Sequence, residues 1–286
     1  MERASPAMLI TLTTDFGTAD GYVGAMKGVI ARLAPEAQVV DITHEIPAQD
    51  ILAGALALET ACPFFPPETI HVAVIDPGVG TSRAAVAIQT PHAFFVGPDN
   101  GIFDLVLGAG TRRRKQRVSE DSSLRFSAWT AVRLTNASYY RPQVSSTFHG
   151  RDIFAPVAAH LARGVMLSEL GEPIKDLVSL ALPEPEKSRG GLKLHVLRAD
   201  HFGNLITDLT AQEYKRWNPK NAAVAIEIGT RRIAGLSSTF ADVAPGEPVA
   251  YFGSGGRLEI AVRNGDAAKT LSAELAQGIA LRRLRR

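Results

Sequence analysis

One cysteine, Cys62, stands in a chain of 286 residues. This scarcity excludes an internal disulfide and any metal site built from clustered thiolates. Cys62 itself reads as a small buried apolar residue rather than a reactive thiol. Net charge is equally scarce, with 31 Lys and Arg against 29 Asp and Glu, a formal +2. A dedicated nucleic-acid binder would carry a basic excess on one domain, so nucleic acid is not an expected partner. Long apolar runs are missing: stretches such as Val72 to Ile75 fall far short of a membrane span. No hydrophobic leader region follows Met1-Glu2-Arg3-Ala4-Ser5-Pro6, so no secretory signal is legible and the expected location is cytoplasmic, away from membranes. His44-Glu45 and His71 follow no ligand spacing, and neither H-E-x-x-H nor D-x-D-x-D-G occurs, so no metal is expected. The chain also lacks a G-x-S-x-G elbow, a Walker A sequence and the dinucleotide G-x-G-x-x-G order.

The residues that are present describe an ordinary folded chain, 45% apolar and 21% charged, long enough for two domains. Met8 to Thr13 reads as a buried strand, and Val23, Met26, Val29, Ile30 and Leu33 recur at helical spacing from Tyr22 to Leu33. Gln38 to Ile42 reads as a strand, Ile51 to Ala61 as a helix and Ile70 to Ile75 as another buried strand. Ala84 to Ile88 and Ala93 to Val96 follow as strands, and Phe154 to Ala162 as a helix. This alternation predicts an N-terminal α/β domain with a largely parallel sheet, over residues 8–182. A basic excursion near residues 110–135, with Arg112-Arg113-Arg114-Lys115 inside Thr111 to Glu120, reads as a solvated loop. The Pro/Gly/charge cluster Leu182 to Gly191 reads as a linker. Beyond it, the β-type runs Leu192 to Leu197, Val224 to Ile228, Pro248 to Phe252 and Arg257 to Val262 predict a smaller β-barrel-like or sandwich domain over residues 192–286. Ala267 to Arg286 reads as a terminal helix with a frayed, solvated end.

Polar residues gather where strands should end, and open α/β sheets bind ligands beyond the carboxyl ends of their strands. Asp15, Asp76 and Asp99-Asn100 all take such positions, so one shared cleft is expected, although any one of them alone is as readily a turn or cap residue. Arg83 follows Asp76 by seven residues across a Gly78-Val79-Gly80 turn, a length that returns the guanidinium to the carboxylate. His149, flanked by Gly150, Arg151 and Asp152 just before a helix, suits either a base or a helix cap.

Taken together, these residues resemble the S-adenosylmethionine hydrolases that release adenosine, also called hydroxide adenosyltransferases, which are homologous to the fluorinating and chlorinating enzymes. The matching segments are Thr13-Thr14-Asp15-Phe16-Gly17, Val74 to Gly80, Gly97-Pro98-Asp99-Asn100-Gly101, Thr147 to Asp152, Asp200-His201-Phe202-Gly203-Asn204, and Gly253-Ser254 with Asn264 to Ala268. They occur in family order and span residues 8 to about 275. The resemblance implies hydrolysis of S-adenosyl-L-methionine to adenosine and L-methionine, with that compound as small-molecule substrate and no cofactor. It also implies a homotrimer with the site between subunits. Asp15 would accept from the ribose hydroxyls, Asp20 and Asp200 would meet the methionyl ammonium, and Ser254 would meet the carboxylate. Asn204 would read the adenine edge, with backbone around Val262 and Asn264, while Asp76, Arg83 and His149 match the catalytic triad that positions water. The halogenating branch has Tyr at the Asp76 position and Tyr-Ser where this chain has His149-Gly150, so this chain falls on the water side.

The implied chemistry is an in-line displacement at the ribose C5′ with a neutral leaving group, so no general acid is needed. The catalytic task is to hold water opposite the C5′–S bond. Three other readings stay open: a non-catalytic S-adenosylmethionine or adenosine-binding module, which would need Asp15, Asn204 and Ser254 but no triad; a halide-using adenosyltransferase; and a metallohydrolase, which would be chelator-sensitive.

Overall fold

A run such as Thr69-Ile70-His71-Val72-Ala73-Val74, rich in β-branched residues and buried at every position, suits a strand covered on both faces, and it lies inside the main sheet. The computed structural model describes residues 8–108, 129–272 and 278–284. The chain divides between Leu180 and Ala181 into two units.

The N-terminal unit runs β1 (Leu9–Thr14), α1 (Tyr22–Leu33), β2 (Gln38–Thr43), α2 (Ile51–Ala61), β3 (Thr69–Val74), β4 (Ala85–Gln89) and β5 (Ala93–Pro98). It continues through α3 (Asp104–Leu107), β6 (Thr130–Leu134), α4 (Ala155–Ala162) and β7 (Gly171–Ile174). One seven-stranded sheet has the order β2-β1-β3-β5-β4-β6-β7. Alternate residues of β3 feed separate cores on the two faces. Val72 and Val74 pack with Met26, Ile30 and Val157 of α1 and α4. Ala73 and the following Ile75 pack with Ala53, Leu58 and Val106 of α2 and α3. Asp50 caps α2 by accepting from Ala53 N–H at 2.9 Å.

The expected parallel character holds only across β2-β1-β3-β5, and β4, β6 and β7 pair antiparallel. The short connection from β4 to β5 allows a hairpin and no crossover. β6 occupies part of the expected excursion, and Thr111 to Glu120 lies outside the described residues.

The C-terminal unit contains β8 (Glu186–Ser188), β9 (Gly191–Leu194), β10 (Val196–Ala199), β11 (Leu205–Thr210), α5 (Ala211–Trp217), β12 (Val224–Ile228) and β13 (Arg231–Ala234). β14 (Pro248–Phe252), β15 (Arg257–Val262), α6 (Ala267–Thr270) and β16 (Ile279–Arg283) complete it. Its strands form two antiparallel sheets, β10-β11-β15-β14 and β13-β12-β16-β9-β8, around a shared core that includes Leu194, Leu209, Ile226, Ile260 and Leu281.

The cluster from Leu182 to Gly191 is not all linker, because β8 pairs with β9 as a hairpin. Of the expected terminal helix, α6 covers Ala267–Thr270 and residues 273–277 lie outside the described residues, while the segment expected to fray is β16, the middle strand of its sheet. Ile279 and Leu281 are buried in alternation, and β12 and β9 supply ladder partners on both sides. That tertiary pairing overrides the helix propensity of Ala and Leu. Among the described residues, no helix is long and apolar enough to cross a membrane.

Candidate functional site

The parallel register brings the polar loops to one edge of the sheet. Thr14 pairs with Val74, so Asp15 and Asp76 emerge side by side just past β1 and β3. The turn after Asp76 is closed by backbone bonds from Val79 N–H to Asp76 O and from Thr81 N–H to Gly78 O. It returns Arg83 onto the carboxylate. Arg83 Nε donates to Asp76 Oδ1 at 2.9 Å and Oδ2 at 3.0 Å, and Nη2 also donates to Oδ2. Gly80 lies at φ +76°, where a Cβ would come 2.5 Å from Ser146 O, so the turn packs directly on the loop that carries His149.

Arg83 Nη2 also lies 2.9 Å from His149 Nδ1. A guanidinium only donates, so Nδ1 must accept, and the neutral imidazole carries its proton on Nε2. Burial, and next the Arg83 charge, hold the His149 pKa below its ordinary value, against the opposing pull of Asp76 and Asp152. The sequence left His149 between base and cap. The structure places it just before a π-helical turn, Gly150–Phe154, with no side-chain cap bond.

Asp15 is half-buried, and its Oδ2 accepts from Gln49 N–H at 2.8 Å, leaving Oδ1 to other donors. Asp20 is exposed on the bend before α1. Beneath this loop lies a strut that sequence reasoning missed. Thr14 Oγ1 lies 2.8 Å from His44 Nδ1, His44 Nε2 lies 3.1 Å from Asp41 Oδ1, and the His44 carbonyl accepts from Gly17 N–H at 2.8 Å. His44 showed no motif, and only the parallel pairing of β1 with β2 puts it under Asp15. Phe16, Tyr22 and Phe148 form an edge-to-face aromatic trio beside His149. Asp99 accepts from Val178 N–H at 2.8 Å, and Asn100 Nδ2 donates to Ile75 O at 2.8 Å, so both act on loop structure. Among the described residues, no group of three or more His, Cys, Asp or Glu side chains is placed to hold a metal ion.

Asp200, Asn204, Ser254, Val262 and Asn264 lie in the C-terminal unit. Asp200 organises its own turn: Oδ1 accepts from the N–H groups of Phe202 and Asn204, and Oδ2 from Asn204 Nδ2 at 2.9 Å. That bond uses one of the two Asn204 amide N–H donors and leaves the second, with Oδ1, to other partners. Gly203, at φ +81°, sits where a Cβ would meet the Asp266 carboxylate at 2.2 Å, so the Asp200–Asn204 and Asn264–Ala268 segments are packed together. Ser254 is exposed in the turn between β14 and β15, Val262 ends β15, and Asn264 follows at φ +56°. Near Ser254, Tyr251 donates to Glu259 Oε2 at 2.9 Å. Burial, with the Asp200 charge adding to it, raises the Glu259 pKa.

A polar cluster at the carboxyl edge of an α/β sheet, joined in one chain to a unit of paired antiparallel sheets, marks a two-domain ligand-handling protein. Residues 10–171 match the SAM hydroxide adenosyltransferase N-terminal domain and residues 194–280 the C-terminal domain, so the chain belongs to that family. The (R)-S-adenosyl-L-methionine hydrolase of Salinispora tropica is 40% identical over 270 residues, 93% of this chain and 95% of that one. The (R)-S-adenosyl-L-methionine hydrolase of Thermus thermophilus is 39% identical over 281 residues, 95% of this chain and 97% of that one. A crystal structure of an uncharacterized conserved protein from Thermotoga maritima superposes with a TM-score of 0.81 at 32% identity, covering 96% of this chain and all of that one.

Proposed function

We propose that the chain hydrolyses S-adenosyl-L-methionine to adenosine and L-methionine, by attack of water on the ribose C5′. The observation that carries this reading is the Arg83 guanidinium bridging Asp76 and His149 within hydrogen-bond distance of both. The leaving sulfonium departs neutral, so the site has only to orient water and take up one proton. His149, with Nδ1 occupied by Arg83, offers an Nε2–H donor that fixes the water oxygen. Asp76 offers the acceptor, because each carboxylate oxygen keeps acceptor capacity beyond what Arg83 uses. Arg83 holds the two in one geometry.

Asp15 binds the ribose hydroxyls, Asp20 and Asp200 the ammonium, Ser254 the carboxylate, and Asn204 with Val262 and Asn264 the adenine edge. The ligand groups divided between the two units, over residues 8–182 and 192–286, support a homotrimer whose sites lie between subunits. Contacts of β9 with β11 and of β13 with β14 support a barrel-like C-terminal unit. A lone buried cysteine supports a cytoplasmic setting. A halide-using reaction is disfavoured, because Gly150 brings no hydroxyl and a Cβ there would press on Met26 Sδ at 3.2 Å and Phe16 at 3.4 Å.

The test is chromatography after incubation with each separated sulfonium epimer in ¹⁸O-water. Adenosine labelled at the 5′-hydroxyl, formed even in excess chloride, supports hydrolysis. Halogenated nucleoside, unlabelled adenosine or binding without turnover overturns it.

A further inference from the structure

The proposed triad leaves one buried charge unexplained. The Asp152 side chain is fully buried, yet it is a carboxylate facing two arginines. Oδ1 accepts from Arg141 Nη1 at 2.8 Å and Arg151 Nε at 2.7 Å, and Oδ2 accepts from Arg151 Nη2 at 2.8 Å and Ser145 N–H at 2.8 Å. Its backbone is tied as well, since Asp152 N–H donates to Phe148 O at 3.1 Å and Asp152 O accepts from Arg141 N–H at 2.9 Å. The loop from Ser145 to Asp152 is therefore closed at its base by a single side chain, and His149 sits inside it. The Arg151 guanidinium lies 4.9 Å from the Phe148 ring centroid, which fixes the residue before His149. The far side of the same loop carries the Gly80 turn on Ser146 O.

We infer that Asp152 is a positioning residue of the site: it closes the 145–152 loop so that His149 Nδ1 meets Arg83. The inference rests on the proposed role of His149. Asp152 touches no reacting group, so its effect runs through His149. The charged groups facing His149 are Arg83 and Asp76 from the turn after β3 and Asp152 from its own segment. Burial alone would raise the Asp152 pKa, but Arg151, Ser145 N–H and Arg141 outweigh it and hold the group at about 2. Asp152 is thus a permanent negative charge at working pH, and it favours protonated His149 while Arg83 opposes it.

Asp152→Asn keeps an oxygen for Ser145 N–H and removes the charge. It should lower kcat for adenosine release by about 10- to 100-fold through misplacement of His149. KM should stay within about twofold, because no substrate contact is lost. The acid limb of kcat and the His149 NMR titration should both move to lower pH. Arg141→Met strips one cation from Asp152 at a site already partly exposed, and it serves if Asp152→Asn fails to fold. It should move the His149 titration the opposite way, to higher pH, a sign reversal that simple loosening of the loop would not produce. A folded Asp152→Asn protein with unchanged kcat and unmoved His149 titration overturns the inference, as does a shift of the same sign in both variants. If the wild-type protein releases no adenosine, the hydrolase reading fails by itself, and the two titrations still decide the role of Asp152.

Discussion

Replacing Arg83 by Met removes the only link described between Asp76 and His149, and its effect on stability can be worked from the geometry. The Asp76 and Arg83 side chains are 5% and 11% exposed, so the variant strands a desolvated carboxylate and leaves His149 Nδ1 without its donor. Breaking a buried pair by removing one partner costs about 3–5 kcal/mol. In a unit of this size each kcal/mol lowers Tm by about 2–4 °C, which gives a fall of roughly 6–20 °C. The informative comparison is the double variant Asp76→Asn, Arg83→Met, which leaves no buried charge. It should melt above the Arg83→Met single variant, with a coupling of about 0.5–3 kcal/mol. Scanning calorimetry of the wild type, both single variants and the double variant at neutral pH measures this directly. A double variant that melts at or below Arg83→Met, or changes that simply add, would refute the claim that this pair is a desolvated, coupled unit. All three variants should lose adenosine formation, so recovered stability without recovered activity separates the pair's structural role from its proposed chemistry.

The proposed activity should fall on the acid side with a midpoint below the ordinary histidine value of 6.5, since burial and Arg83 favour neutral His149 and protonation puts a donor against a donor; a midpoint above 6.5 in the kcat–pH profile would contradict this. His71, stacked on Phe95 and bonded to Thr11, is held by burial at about 4, so the unfolded chain takes up the proton first. Stability should therefore drop by roughly 3 kcal/mol as pH falls from about 6.5 to about 4, with His71→Gln flattening the acid denaturation curve. Asp15→Ala should weaken adenosine binding by about 1.5–3 kcal/mol for each charge-assisted bond lost, and equal calorimetric affinity would remove Asp15 from the ribose site. Leu281→Ala, at a fully buried position of β16, should destabilise by about 2–5 kcal/mol, whereas Leu284→Ala at the strand's exposed end should stay near 0.5 kcal/mol in urea titrations.

Elements with a strong local pattern were legible from the chain alone. The helical spacing from Tyr22 to Leu33 and the Ala/Leu-rich run from Ile51 to Ala61 match α1 and α2 end to end: α1 buries one apolar stripe of Val23, Met26 and Ile30, and α2 is buried on most sides with Asp50 capping its start. Asp76 and Arg83 were legible as a pair for the same reason, since a short glycine-containing turn is a local device. Other features depended on partners distant in sequence. β16 looks helical by composition, and its strand conformation comes from β9 and β12 on either side. The antiparallel half of the main sheet depends on β6 and β7, short runs whose own residues announce little. Asp99 and Asn100 carry the composition of a site and do the work of a loop.

The sequence by itself determined where the strands of the parallel core lie, which polar residues follow them, and the family to which their order belongs. Those properties arise from periodicity and turn chemistry within a few residues of each position. Only the tertiary structure decided that Arg83 reaches His149 across 66 positions, that this contact forces the imidazole proton onto Nε2, and that Asp152 closes the loop holding it there. Hydrogen-bond direction is set by which donor stands opposite an acceptor, and no local pattern carries that information until the sheet has brought the loops together.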